Sequence, residues 1–201
     1  MGRKLPVLAE QAVGSVQAEV SARSQSFERE LRRDKKLSCR PGCSNCCYLP
    51  IEISLLEAIP IYRELVQKGR WTPAFVKTLR EHAEKTNLLS PAVWLLTRTP
   101  CPLLTSDQRC SVYGIRPFHC RTMWATGDPF YCDGQNFGPQ TSIVPKDGFM
   151  RDFMAYVESS ARQAGVAPYT LPVSRALLIA ERVVNGSLDA RDIILEIARD
   201  L

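Results

Sequence analysis

Cys39-Arg-Pro-Gly-Cys43-Ser-Asn-Cys46-Cys47 places four cysteines within nine residues, and its reading decides the rest of the chain. A thiolate is a soft, anionic ligand, and several on one short loop form the donor set of zinc or of an iron–sulfur cluster. Pro41 and Gly42 predict a tight turn, which brings backbone-fixed sulfurs toward one point. Cys46 and Cys47 are adjacent. Neighbouring side chains point to opposite faces of a strand and diverge by roughly 100° on a helix. Either the two contact different metals, or one is a ligand and the other packs beside it.

Further along, Cys101, Cys110, Cys120 and Cys132 form a looser group spaced C-x8-C-x9-C-x11-C, against C-x3-C-x2-C-C in the first. Eight thiols fill two four-thiolate sites, or one site with spares. Zinc takes four ligands and is served by C-x2-C knuckles, and a zinc ribbon needs two such pairs. Neither spacing supplies them. An iron–sulfur cluster also takes four thiolates but spans a larger volume and accepts less regular spacing. The pattern therefore favours a cluster of the 4Fe-4S type, with zinc as the alternative and all eight cysteines as candidate ligands. Arg116 and Arg121 bracket Cys120, where guanidinium charge offsets an anionic site and lowers thiol pKa values, so both are candidate cofactor-binding residues. His119 is a further donor beside Cys120, although thiols already outnumber the positions. His82 reads as a core or helix-surface residue.

The flanking segments read as helices. Val13, Val16, Val20, Phe27 and Leu31 form one apolar stripe over residues 7–36, closed by Arg32, Arg33, Lys35 and Lys36 at the negative end of the helix dipole. Docking on the domain accounts for the stripe; a protein partner is the alternative. Ser54-Leu-Leu-Glu57 is a capping box opening a helix through Val66, with Leu55, Ile59, Tyr62 and Val66 on one face and a kink expected at Pro60. Thr72-Pro73 and Ser90-Pro91 each open another helix, the first with Phe75, Leu79 and His82 inward and the second containing Trp94. Residues 101–113 read as a small hairpin, 116–121 as a helical turn, and the rest to about 145 as loop. Met150, Phe153, Met154, Val157 and Ala161 mark a helix, Ser174 to Val184 a second one stopped by Asn185-Gly186, and Ile194, Ile197, Ala198 and Leu201 a last one. The expected fold is mainly α with a small β hairpin. Its expected parts are an N-terminal helix (1–36), a cysteine-cluster domain (37–145) and a helical segment packed on it (146–201).

The composition is that of an ordinary globular protein: 201 residues, 45% hydrophobic, 23% charged, net charge +5. The basic run at 32–36 reads as a solvated helix end, which argues against a nucleic-acid partner. No apolar stretch approaches the ~20 residues that cross a bilayer, and the first ten residues are not a secretory signal. A cytoplasmic, reducing location is expected, without a membrane partner, so eight cysteines point to metal rather than to disulfides.

Four elements in order, Cys39 to Cys47, Cys101-Pro-Leu-Leu, Arg109-Cys110-Ser-Val-Tyr113 and Arg116-Pro-Phe-His-Cys120-Arg121, resemble the YkgJ-type cysteine-cluster family. That resemblance implies a zinc- or iron-chelating domain with a CxxxCxxCC signature and a later RPxxCR segment. It covers about residues 39–121, leaving Cys132 outside the pattern. The family is also similar to the cysteine-rich part of flagellin lysine N-methylase, which implies a protein-modifying lysine methyltransferase as one alternative. The usual marks of an enzyme are missing: no dinucleotide fingerprint, phosphate loop, nucleophile elbow or histidine pair for catalytic zinc. Cys39, Cys43 and Cys46 share the C-x3-C-x2-C spacing of radical S-adenosylmethionine enzymes, but the strand–helix alternation of a barrel does not follow. The leading reading is a metal-binding module, structural or electron-carrying. A metal-handling or redox-sensing protein is the other alternative.

Overall fold

A computed structural model describes residues 28–34, 37–40, 42–87, 89–128, 130, 132, 141–143, 149–164 and 168–188, with the earlier positions 11, 14, 18, 22, 25 and 26. Helix α1 covers 28–33, and all six earlier positions are helical too. A 3-10 turn (Asn45–Tyr48), strand β1 (Glu52–Ser54) and helices α2 (Leu55–Gln67), α3 (Pro73–Thr86) and α4 (Pro91–Thr97) follow. Next come a 3-10 turn (Tyr113–Ile115), α5 (Phe118–Thr122), β2 (Trp124–Thr126), β3 (Thr141–Ile143), α6 (Phe149–Ala164), β4 (Thr170–Pro172) and α7 (Val173–Val184). The fold is mainly α with small antiparallel β elements.

Local signals start the helices as the sequence predicts. Ser54 and Glu57 exchange both bonds of the capping box at α2, and the helix continues through Pro60. Thr72 and Ser90 cap α3 and α4 by accepting from Phe75 N–H and Val93 N–H, each with proline in the first turn. The core lies where α2 meets α7, with α3 on the other side of α7. Ile59, Ile61 and Leu65 of α2 and Ala176, Leu177 and Ala180 of α7 are sealed from water with Leu79 of α3. Each buried large aliphatic side chain contributes about 1.5–3 kcal/mol. Val66 was expected inward but is 47% exposed; Leu65 takes that place. In α6, Val157 and Ala161 are buried as expected, whereas Met154 is exposed.

The β structure differs from the expectation. Residues 101–113 close through a single bridge, Leu104 with Cys110, because 105–109 curl into a tight turn with Gln108 at φ +61°. The ladders join distant segments instead. β1 pairs antiparallel with β4, Ile53 opposite Leu171, and β2 pairs with β3, Trp124 opposite Ile143. The stretch expected to be loop after α5 thus contains two short strands. Helix α1 ends at Arg33 with Leu31 buried. Val13, Val16, Val20, Phe27, Lys35, Lys36 and the expected last helix with Ile194, Ile197, Ala198 and Leu201 lie outside the described residues. So do the side chains of Met150 and Phe153. No helix among the described residues is long and apolar enough to cross a membrane.

His82 is a core residue. Its Nδ1 lies 3.0 Å from Ser174 Oγ, which is fully buried on α7, and its ring meets Trp94 edge-on at 5.7 Å. Burial, with Lys85 nearby, lowers its pKa from 6.5 to about 4, and the Pro100 backbone opposes the shift. The unfolded chain therefore binds this proton more readily than the folded one. Stability is full above pH 6.5 and falls as the pH drops toward 4, by about 3 kcal/mol at ~1.4 kcal/mol per pKa unit. Urea unfolding from pH 7 to 4 should show this loss, and His82→Gln should flatten most of it.

Candidate metal centre

The first cysteine loop is fixed from both sides. Leu37 bridges to Thr126, Ser38 N–H donates to Ala125 O at 2.8 Å, and Ser38 Oγ donates to Gly127 O. Arg32 Nη2 of α1 donates to Cys39 O at 3.3 Å. Cys43 N–H then closes a turn onto Arg40 O at 3.0 Å, with Gly42 at φ +83° and open space where a Cβ would stand. The glycine is required by its backbone conformation alone. Pro41, the other turn residue, lies outside the described residues. Cys46 and Cys47 fall on the following 3-10 turn. Their side chains do not diverge fully: the Cys47 thiol hydrogen-bonds the Cys46 sulfur.

A backbone bond ties the two cysteine groups together, Cys101 N–H to Cys47 O at 2.7 Å. The chain then curls so that Ser111 N–H reaches Leu103 O at 2.9 Å, which sets Cys110 opposite Leu104. Gln108 Oε1 accepts from Ser44 Oγ at 2.8 Å and Tyr48 OH at 3.2 Å, while Arg98 lies over the Tyr48 ring. These contacts lock the second loop onto the first.

Cys120 comes from α5, and α5 is positioned by a residue of α2. Glu57 Oε2 accepts from Ser54 N–H at 2.9 Å and Ser54 Oγ at 2.8 Å, and Oε1 accepts from Phe118 N–H at 2.8 Å. One buried carboxylate therefore caps two helices. The capping box is visible in the sequence; the second bond, across 61 residues, is not.

Six of the eight cysteines line one cavity of about 440 Å³: Cys43, Cys46, Cys47, Cys101, Cys110 and Cys120. Ile51, Leu103 and Val173 supply apolar wall, and among the described residues the charged lining side chains are Arg109 and Arg116. Cys39 and Cys132 do not line it. Cys39 still lies close enough to Cys43 and Cys46 for their charges to raise its pKa, after burial, which is the larger cause. Among the described residues, no three His, Cys, Asp or Glu side chains are gathered tightly enough to hold a single metal ion. His119, the other donor considered beside Cys120, lies in the last turn of α5 and does not line the cavity.

The thiols differ in readiness. The hydrogen bond from Cys47, aided by Arg116, lowers Cys46 to about 7 despite its burial, so Cys46 is half thiolate near neutral pH. Cys47 is raised because its proton is committed to that bond. Burial pushes Cys101 up to about 12 and raises Cys110 and Cys120 as well. A soft cation replaces those protons, and the chemistry of this donor set fits a thiolate-bound metal.

The two arginines have separate roles. Arg116 lines the cavity with its guanidinium 3.7 Å from the Tyr113 ring centroid. Arg121 does not line it; its Nε donates to Arg116 O at 2.7 Å and its Nη2 to Gly114 O at 2.6 Å. Trp71 Nε1 donates to Glu181 and Trp94 meets His82, and neither lines the cavity. Trp124 is buried on β2; Tyr131 lies outside the described residues.

The family model described as "CxxCxxCC: Putative zinc- or iron-chelating domain" matches residues 38–141, just over half of the 201 residues and all eight cysteines. No curated protein and no solved structure matches the chain.

Glu57→Ala leaves the Phe118 and Ser54 N–H groups buried without their acceptor. It should lower stability in urea by roughly 2–3 kcal/mol. Gly42→Ala meets no steric obstacle. It should cost about 1 kcal/mol, from the positive φ alone, by the same measurement.

Proposed function

The chain belongs to this family of zinc- or iron-chelating domains, and on that footing we propose that it holds an iron–sulfur cluster through the thiolates of the cavity. The observation that carries the reading is that six sulfurs from three segments line one cavity of about 440 Å³. A four-thiolate cluster spans a larger volume than one zinc ion with four sulfurs at ~2.3 Å, and it accepts sulfurs spread over such a wall.

Cys46, Cys101, Cys110 and Cys120 are the principal ligands in this reading. The charge of Cys46 acts on the other three, that of Cys110 on Cys101 and Cys120, and that of Cys101 on Cys120, so the four lie within reach of one another. Cys46 is the thiol held most readily as its anion, by Cys47 and Arg116. Cys47 assists by donating to Cys46, and Cys43 stands at the cavity as a spare thiol. A cluster bound there supplies one-electron chemistry and a cross-link between segments about seventy residues apart. The protein supplies apolar walls that restrict water, a cationic rim, and backbone bonds that hold the loops in register. This reading is of a structural or electron-carrying module.

Protein purified without oxygen should be coloured and contain iron and acid-labile sulfide. Stoichiometric zinc without sulfide overturns the reading. Cys120→Ser should lose the metal and become protease-sensitive between Pro100 and Gly127, while keeping most far-UV ellipticity because α2, α3 and α7 share their own core. Full metal content and an unchanged digestion pattern in that variant would remove Cys120 from the ligand set.

A further inference from the structure

Arg116 lines the cysteine cavity, and its Nε is buried without a hydrogen-bond partner among the described residues. A buried N–H without an acceptor costs on the order of 1–3 kcal/mol, and native structures rarely leave one unless a ligand, ion or water completes it. Among the described residues, no carboxylate lines the cavity. Among the described lining residues, six cysteine sulfurs are the groups that become anionic on binding a metal and can answer this cation. Its charge acts on Cys46, Cys110 and Cys120, which come from three separate segments.

The side chain is also held in place before any ligand arrives. Its guanidinium lies 3.7 Å from the Tyr113 ring centroid, and its own carbonyl is gripped by Arg121 Nε at 2.7 Å. Pro117 follows directly and is buried, so the backbone at Arg116 has little freedom. Such preparation is wasted on a surface cation and suits a donor that must meet an anion at a fixed position.

The geometry points to Arg116 as the residue that donates from Nε–H to a sulfur of the bound cluster and sets its reduction potential, with Arg121 as the positioning residue that holds it there. This inference rests on the iron–sulfur reading above. A hydrogen bond and a positive charge beside the cluster sulfurs favour the electron-richer state, so they raise the potential. Lysine keeps the charge but loses the planar fork and the Nε donor; glutamine loses the charge as well.

The experiment compares wild-type protein, Arg116→Lys, Arg116→Gln and Arg121→Gln, all purified anaerobically. Iron and sulfide are assayed first, and the potential is then read by spectroelectrochemical titration. Arg116→Gln should keep iron and sulfide and shift the potential to more negative values. Arg116→Lys should shift it the same way by less, and Arg121→Gln should follow in the same direction because its loss frees Arg116. Loaded Arg116→Gln with the wild-type potential overturns the inference and leaves the iron–sulfur reading intact. Wild-type protein without iron and sulfide overturns both. If Arg116→Gln does not load, Arg116→Lys decides: a negative shift supports the inference, and an unchanged potential overturns it.

Discussion

The Glu57 carboxylate is the contact through which the helical core and the cysteine loops become one structure. It begins α2 through Ser54 and, on its other oxygen, receives the first N–H of α5, the helix that carries Cys120. Both bonds are buried, where a carboxylate retains its strength only if its lone pairs are occupied. The loop between Pro100 and Pro117 has almost no ladder of its own, so its shape depends on anchors of this kind. The Cys101 to Cys47 backbone bond and the Gln108 side chain supply the others. A cavity lined with sulfur is assembled against a helical framework that has its own apolar core.

That division explains the electrostatics. The framework fixes where the thiols stand, and burial then makes most of them reluctant to ionise. Cys46 escapes because a neighbouring thiol and a guanidinium both stabilise its anion. A cation entering the cavity has to displace several protons held above their ordinary affinity, so its binding releases protons and strengthens as the pH rises. Arg121 lies behind the site rather than in it, and its donors are used on the carbonyls of the segment that presents Arg116.

The sequence revealed those parts of this arrangement that are local. Ser54 with Glu57, Thr72 with Pro73 and Ser90 with Pro91 each specify a helix start within four residues, and each was readable. The cysteine spacing, with the segment from Arg116 to Arg121, marked the metal domain that the family model also covers. What was hidden lies at long range. Glu52 faces Pro172 and Trp124 faces Ile143, in strands of three residues, too short to show alternation. The second bond of Glu57 leaves no mark near Phe118. Arg116 and Arg121 look equivalent beside Cys120, and only their partners tell a residue at the cavity from one that braces it.

Val173 closes one wall of the cysteine cavity, and it is the first residue of α7. A ribosome adds residues at roughly 5–20 per second, and about fifty separate Cys120 from Val173. For several seconds of every synthesis the cysteines are outside the tunnel while a wall of their cavity is still unmade. Helix α2 waits through the same interval for the face of α7 it packs against. The nascent thiols are therefore exposed together, on one short stretch of chain, to whatever soft metal or oxidant the cell presents. The order of the elements makes cavity closure a later event than the emergence of the cysteines.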